Sequence, residues 1–252
     1  MTEENFFYIF YSFIQGFTEF LPISSSGHLN ILEILYKKSE TRNLYYETTA
    51  HLGSLIALCF YLYINGHFKV NNIKNYFFSI CVATIPAVIV GVVLKFLGYS
   101  LINLKIIGFA SILGSILLYF ADSNHYFKIS IKNKFFKFLF AGMFQCLAFI
   151  PGFSRSGACI TAFLLLGENR KSASILSLYL GIPIIIISFL GNIIEIKDFY
   201  FDSNVVLIFF ASFLFALITL IFFIKLINKI SFKPFIVYRL FLGVLLLIFL
   251  VN

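Results

Sequence analysis

The chain has 252 residues, of which 60% are hydrophobic and only 12% are charged. Soluble domains contain about 45–50% apolar and about 25% charged residues, and one core of this size cannot enclose so much apolar surface. The composition therefore excludes a soluble protein and predicts an integral membrane protein. The net charge of +8 gives no reason to expect a nucleic-acid partner, because Lys and Arg gather in the cytoplasmic loops of membrane proteins.

Six apolar segments are long enough for membrane-crossing helices, which need roughly 20 residues. They cover about 47–66, 76–98, 102–121, 173–195, 204–227 and 235–251. Two further apolar segments, at about 6–36 and 135–167, are each broken by Pro and then by Ser and Gly. Membrane proteins tolerate such breaks only where the chain is buried or faces a water-filled cavity. Both segments are therefore predicted to be re-entrant helical hairpins whose tips meet inside the protein.

The two hairpins form an internal repeat with an offset of 130 residues. This offset aligns Gln15 with Gln145, Ser24 with Ser154, Ser26 with Ser156 and Gly27 with Gly157. Three crossings follow each hairpin, so the second repeat (about 135–251) enters from the side opposite to the first (about 1–121). The sequence thus predicts a single all-α membrane domain in which six transmembrane helices and two hairpins form an inverted-topology repeat. Such folds place the functional site near the midplane, where broken helices meet.

The distribution of Lys and Arg predicts the orientation. The membrane side that holds the N-terminus carries six of these residues, the opposite side carries eleven, and Arg155 and Arg239 lie within the membrane. Because positive charge marks the cytoplasmic side, we expect both termini to face outward.

The first hairpin carries ionisable side chains, which are costly in a membrane and therefore indicate function. Glu19 follows Gln15 by four residues, so both share a helix face and can hold a divalent cation through oxygen ligands. His28 can transfer a proton near neutral pH. At the 130-residue offset Ser25 aligns with Arg155. A pseudo-twofold axis would therefore place a candidate nucleophile, Ser25, beside the arginine.

The second hairpin has the composition of a phosphate site. A guanidinium presents a planar fork that matches phosphate oxygens, and hydroxyls with free N–H groups at the start of a half-helix form an anion cradle. The candidate phosphate-binding residues of both hairpins are Ser24, Ser26, Ser154, Arg155, Ser156 and Gly157. Together the hairpins predict a phosphate or diphosphate site for an isoprenoid or other lipid phosphate.

Several alternative roles stay open for these polar residues. Glu19 and Arg155 could form a purely structural ion pair, and His28 could be a core histidine. His51 could face either the cleft or the membrane interface. Arg239 is better explained as a structural partner for a carboxylate or a carbonyl group.

Two segments, Gln15–His28 and Pro151–Gly157, resemble the signature motifs of the undecaprenyl-diphosphate phosphatase (bacitracin-resistance protein) family. The resemblance covers nearly the whole chain and includes residues 50–53 and 230–239. It implies hydrolysis of undecaprenyl diphosphate to the monophosphate carrier for cell-wall synthesis, in the bacterial plasma membrane. It also implies bacitracin resistance, a divalent cation (Mg²⁺ or Ca²⁺) and a cleft that opens to the outer face.

The resemblance also assigns roles by position. It implies catalytic roles for Glu19, for Ser25 as the nucleophile, for His28 and for Arg155, which binds phosphate. The first acidic position of the family motif is Gln15 in this chain. Because an amide binds a cation more weakly than a carboxylate, the metal would depend mainly on Glu19.

The same residues allow alternatives to hydrolysis. A polyprenyl-phosphate transporter is the main one, because inverted repeats with broken helices are a transporter architecture. A purely structural scaffold leaves the intramembrane Arg155 unexplained. An acid-phosphatase architecture fails because no His follows Arg155. A homodimer is compatible with the sequence, and both covalent phosphoserine and direct water attack fit the residues.

Overall fold

The computed structural model describes residues 3–35, 44–66, 70–98, 103–123, 128–196 and 203–249. These residues form helices and connecting loops, and the described part contains no β-strand. The first half contains α1 (Glu3–Thr18), α2 (Ser25–Leu35), α3 (Leu44–Ile64), α4 (Val70–Phe96) and α5 (Leu104–Ser123). The second half contains α6 (Lys134–Gln145), α7 (Arg155–Leu165), α8 (Arg170–Glu195), α9 (Ser203–Ile227) and α10 (Lys233–Phe249). The protein is therefore an all-α membrane protein.

Four helical segments in the described part of the chain are long and apolar enough to cross a membrane. They are Tyr76–Phe96, Leu104–Ser123, Arg170–Glu195 and Ser203–Ile227. The other two predicted crossings correspond to α3 and α10. α10 has only 17 residues, fewer than the roughly 20 that a perpendicular crossing needs. The first half of α3 is polar and contains Glu47, Thr48, Thr49 and His51.

Both predicted helix breaks are present. α1 ends at Thr18, α2 begins at Ser25, and Pro22 lies between them. In the second half a short 3₁₀ helix (Cys146–Phe149) follows α6, and Pro151 lies between it and α7. α1 packs against α2 and α6 packs against α7. Each broken segment is thus a pair of packed half-helices joined by a proline-containing tip.

The helices around the tips approach one another unevenly. α9 packs closely against α3, because a Cβ added at Gly53 would lie 2.5 Å from the carbonyl oxygen of Phe209. α9 also packs against α1, where a Cβ at Gly16 would lie 2.8 Å from the backbone nitrogen of Ala216. Small residues are the usual means of such close approach in membranes. Between α4 and α8, in contrast, a cavity remains that extends to the hairpin tips.

Candidate active site

The two hairpin tips share one local backbone structure. Ser24 and Ser154 have φ angles of 74° and 76°, a left-handed conformation that is uncommon for residues other than Gly. The Ser24 hydroxyl accepts the N–H of Gly27 at 3.3 Å, and the Ser154 hydroxyl accepts the N–H of Gly157 at 3.1 Å. Each serine thereby caps the half-helix that follows it. Strained conformations of this kind persist where surrounding contacts hold them, and they concentrate at functional sites.

The tips also contact each other directly, as the sequence predicts. The Gly152 N–H donates to the Ser24 hydroxyl at 3.2 Å, and the Ser156 hydroxyl donates to the Leu21 carbonyl at 2.7 Å. A Cβ added at Gly27 would lie 3.2 Å from the Cα of Gly152, so the backbones nearly touch. The two tips, which are repeats of each other in the sequence, therefore lie side by side.

Arg239 of α10 binds both tips from outside the cavity. Its side chain is completely buried. It donates to the carbonyl groups of Pro22 at 3.3 Å, Gly152 at 3.2 Å and Phe153 at 2.7 Å. The sequence predicts either a carboxylate or a carbonyl group as the partner of Arg239, and the partners among the described residues are carbonyl groups. Arg239 therefore satisfies backbone acceptors that the helix breaks leave without intrahelical partners.

An ion pair joins the two hairpins at the cavity. Arg155 Nη2 lies 3.1 Å from Glu19 Oε1, and the two side chains are 13% and 6% exposed. The other carboxylate oxygen of Glu19 accepts the Ser25 hydroxyl at 2.6 Å. The second guanidinium nitrogen of Arg155, Nη1, is buried without a hydrogen-bond partner in the described part of the chain. Three of the predicted catalytic side chains are thus in direct contact.

Gln15 and His51 extend this cluster on the α1 and α3 side. The Gln15 amide donates to Glu19 Oε2 at 3.0 Å and to His51 Nδ1 at 2.9 Å. His51 Nδ1 lies 3.8 Å from the same Glu19 oxygen. His51 therefore faces the cleft, the first of the two positions that the sequence left open.

Except for Gln15, which is buried behind them, these side chains lie at the polar end of a cavity of about 450 Å³. The residues that line this end include Glu19, Ser24, Ser25, Ser26, His51, Ser154 and Arg155. The walls are apolar side chains of α4 and α8, among them Val88, Val92, Ile184 and Ile187. The cavity therefore combines a charged, hydroxyl-rich end with a hydrophobic passage between two helices.

Four predicted site residues, Gln15, His28, Ser156 and Gly157, are not on the cavity lining. His28 Nδ1 donates to the Ser24 carbonyl at 2.7 Å, and Nε2 lies 2.6 Å from the Tyr238 hydroxyl, which donates to it. The Ser156 hydroxyl and the Gly157 N–H are bonded to Leu21 and Ser154, as described above. In this structure the hydrogen-bonding atoms of these three residues hold the tips. The catalytic role of His28 and the phosphate-binding roles of Ser156 and Gly157 stay predictions.

The chain is similar to known proteins along almost its whole length. Residues 8–245 match the sequence model of a family described as "Bacitracin resistance protein BacA". A relative named undecaprenyl-diphosphatase, from Pelagibacter ubique, is 37% identical over 97% of both chains. Relatives of the same name from Saccharophagus degradans and Methanococcus aeolicus are 38% and 35% identical, over 93% and 96% of this chain and 94% and 96% of theirs.

The chain belongs to the BacA family. The prediction made from its two motifs is confirmed, and the matched region includes both hairpins and every residue of the cavity.

This BacA-family site fits a cation that binds together with a phosphate ligand. Within the described residues, no group of three or more His, Cys, Asp or Glu side chains could hold a metal ion. Glu19 provides a carboxylate, and the Oε1 atom of Gln15 is buried with no hydrogen-bond partner in the part of the chain that the structure describes. Magnesium is often bound by one or two carboxylates plus substrate phosphates. The residues suit that mode better than a cage made of protein ligands alone.

Sequence reasoning missed two residues of this BacA-family site. Asn192 of α8 lines the cavity and donates to the Thr48 hydroxyl at 3.2 Å. Tyr238 holds His28 and stacks on its ring, with centroids 5.6 Å apart. An amide in the apolar α8 is a detectable signal, since polar groups in membrane helices mark sites. Nothing in the local sequence indicates the partner of Tyr238.

Substitution of Arg239 by Met, which has similar length but no donors, should destabilise the protein. It removes the donor of three tip carbonyl groups, and we expect a loss of about 3 kcal/mol in the free energy of unfolding. Lys95→Met is the control, because its ion pair with Glu195 is exposed and should contribute about 0–1 kcal/mol. Thermal unfolding in detergent measures both, and equal midpoints for the two variants would contradict the role of Arg239.

Proposed function

We propose that this protein hydrolyses undecaprenyl diphosphate to undecaprenyl phosphate and inorganic phosphate. It would regenerate the lipid carrier for cell-wall synthesis in the bacterial plasma membrane and support resistance to bacitracin. The observation that carries the proposal is the contact between Arg155 and Glu19, one from each hairpin, at the polar end of an apolar-walled cavity. Relatives named undecaprenyl-diphosphatase support it along the whole chain.

The cavity suits an amphiphile with a diphosphate head. The head would lie at the hairpin tips, where the N-termini of α2 and α7 carry partial positive charge. The Ser24 hydroxyl accepts two backbone N–H groups, so it can donate its own proton to a phosphate oxygen. The Ser154 hydroxyl also accepts an N–H, and its proton, which it donates to the Ser156 hydroxyl in this structure, would have to turn to the phosphate. The prenyl chain would follow the apolar walls between α4 and α8 toward the bilayer.

Arg155 is the main phosphate-binding group in this proposal. Its Nη1 atom is buried against Gly181 and has no hydrogen-bond partner among the described residues, so it has hydrogen-bonding capacity that the ion pair with Glu19 does not use. A guanidinium that holds the terminal phosphate neutralises charge in the transition state, which is the main catalytic requirement of phosphoryl transfer. Ser26, which is exposed and within the described residues is bonded to Ser24 alone, would add a further donor.

In this proposal Ser25 acts as the nucleophile, with Glu19 as its base. The hydroxyl donates to Glu19 at 2.6 Å, so the carboxylate can accept the proton as Ser25 Oγ attacks the terminal phosphorus. The bond between that phosphorus and the bridging oxygen breaks, and undecaprenyl phosphate leaves. Water then hydrolyses the phosphoserine. In the alternative, a water bound at Ser25 attacks directly. His28 would position the Ser24 carbonyl and not transfer the proton itself.

A divalent cation, Mg²⁺ or Ca²⁺, would be held by Glu19 and by the substrate's phosphate oxygens, with the amide oxygen of Gln15 as a further ligand. When bound, such an ion neutralises charge on the diphosphate. Glu19 would then serve three partners: the cation, Arg155 and the Ser25 proton.

The topology that we propose has six crossings and two re-entrant hairpins in an inverted repeat, with both termini outside. α3 and α10 would be the fifth and sixth crossings. The matching φ angles of Ser24 and Ser154 support the repeat, as does the spacing of 130 residues between the starts of α2 and α7. In this orientation the catalytic cavity opens to the outer face.

Phosphate release from a prenyl diphosphate by the purified protein in detergent tests the function. Glu19→Gln and Arg155→Gln should each lower kcat/KM by about 100- to 1000-fold. Arg170→Gln is the matched control, because Arg170 pairs with Asp122 outside the cavity lining; it should retain activity. Lipid movement in vesicles without any phosphate release would instead indicate a polyprenyl-phosphate transporter.

Substitution of the two neighbouring serines, Ser25 and Ser26, by Ala should lower activity by very different amounts. Ser25→Ala removes the nucleophile and should lower kcat by about 1000-fold or more. Ser26→Ala removes one donor and should cost only about tenfold. The measurement is steady-state phosphate release by both variants, and losses of similar size would rule out Ser25 as the nucleophile.

Gln15→Glu should strengthen cation binding, because it adds a carboxylate beside Glu19. We expect the variant to be active and to need several-fold less Mg²⁺ for half-maximal turnover, and a chelator in excess should stop both proteins. Titration of activity with Mg²⁺ measures this difference. Undiminished turnover in the chelator, or an inactive variant at saturating Mg²⁺, would exclude a cation at this position.

A further inference from the structure

A second cavity lies at the opposite end of α4 and α8 from the catalytic cavity. It has a volume of about 380 Å³, and residues that line it include Tyr76 of α4 and Ser172 of α8. The catalytic cavity reaches Lys95 and Asn192 on the same two helices. At 1.5 Å per residue, the far ends of the two cavities are about 30 Å apart, close to the thickness of the hydrocarbon core. The second cavity therefore lies near the other surface of the membrane.

Three lysines converge on this cavity, against a single glutamate. They are Lys132, Lys134 and Lys137, and the acidic residue is Glu168. Among the described residues, Lys132 has no ion-pair partner. Loops on a cytoplasmic surface are rich in lysine, but that tendency does not explain why three of them line one concave site. The cavity thus presents an excess of positive charge to a ligand.

Two of the lysines, Lys134 and Lys137, are held in place by specific contacts. Lys134 Nζ lies 3.4 Å from the ring centroid of Tyr76, and Tyr76 stacks on Tyr179 with centroids 6.1 Å apart. Lys137 Nζ lies 2.9 Å from the Glu168 carboxylate, and both side chains are about one-quarter exposed. The carboxylate thereby occupies the position that an external anion would take on Lys137.

Part of the same cavity is apolar. Its hydrophobic lining consists of Phe138, Phe163, Ile175 and Leu176. A site for a free polar ion needs no such surface, whereas an amphiphile can place its charged group at the lysines and its first methylene groups against these side chains. The location at a membrane surface favours the same class of ligand.

We propose that this cavity binds the phosphate group of an anionic lipid at the membrane surface opposite the catalytic cavity. The phosphate would replace Glu168 as the partner of Lys137 and would also contact Lys132. The site uses none of the residues assigned to hydrolysis, so this proposal can be tested independently of the proposed function.

Lipid binding to the full-length protein tests this proposal. We would use the Arg155→Gln background, which weakens phosphate binding in the catalytic cavity, and native mass spectrometry with phosphatidic acid and phosphatidylcholine of equal chain length. Lys132→Gln/Lys137→Gln should bind phosphatidic acid about 30-fold more weakly than the parent, at about one kcal/mol per lysine. Lys225→Gln/Lys229→Gln, which removes two lysines outside the cavity lining, should bind it as the parent does.

A gain of affinity provides the complementary test, because unfolding cannot produce it. Glu168→Gln removes the competing carboxylate and should tighten binding of phosphatidic acid about fivefold. Displacement of the lipid by millimolar inorganic phosphate would assign the cavity to free phosphate, whereas binding unchanged by phosphate would support a lipid ligand. Equal affinities of the parent and both cavity variants, or equal binding of the two lipids, would overturn the proposal.

Discussion

Two interrupted helices within an apolar bundle impose the main constraint on this molecule, because every freed backbone group needs a partner that water cannot supply. The protein meets this need across the repeat. The Ser24 hydroxyl accepts an N–H of the second tip, the Ser156 hydroxyl donates to a carbonyl of the first, and Arg239 donates to carbonyls of both. The hydrogen bonds that these backbone groups need thus hold the two tips against each other. Glu19 and Arg155, which lie next to the tips, are brought into contact as a consequence.

The cavity lies where one pair of helices packs less closely than another. α3 and α9 approach closely at Gly53, whereas α4 and α8 leave an apolar passage that ends at the polar cluster. A lipid diphosphate has the same two-part character as this space. The φ angles of Ser24 and Ser154 direct the starts of α2 and α7 toward the polar end, and the N-terminus of a helix favours an anion.

Much of this arrangement follows from local sequence, and the remainder depends on distant contacts. Pro22 and Pro151 determine where the helices break, and the aligned serines predict that the tips meet. The placement of His28 could not be predicted, because its ring is held by Tyr238, which is 210 residues away. For Arg239 the sequence predicts a carbonyl group as one of two kinds of partner. It does not predict which carbonyl groups, because they come together only once both tips have folded. The first half of α3 is polar, which is unusual for a membrane-crossing helix. One of its polar residues, His51, lines the cavity.

The most direct test of the account is a double-mutant cycle between Glu19 and Arg155. The kcat/KM of the parent, Glu19→Gln, Arg155→Gln and the double variant would be measured with a prenyl diphosphate. Because the two side chains are in contact and act on one phosphate head, we predict a coupling free energy of about 1.5 kcal/mol or more. Additive effects of the two substitutions would show that the hairpins contribute separately, and would contradict a single site formed where the tips meet.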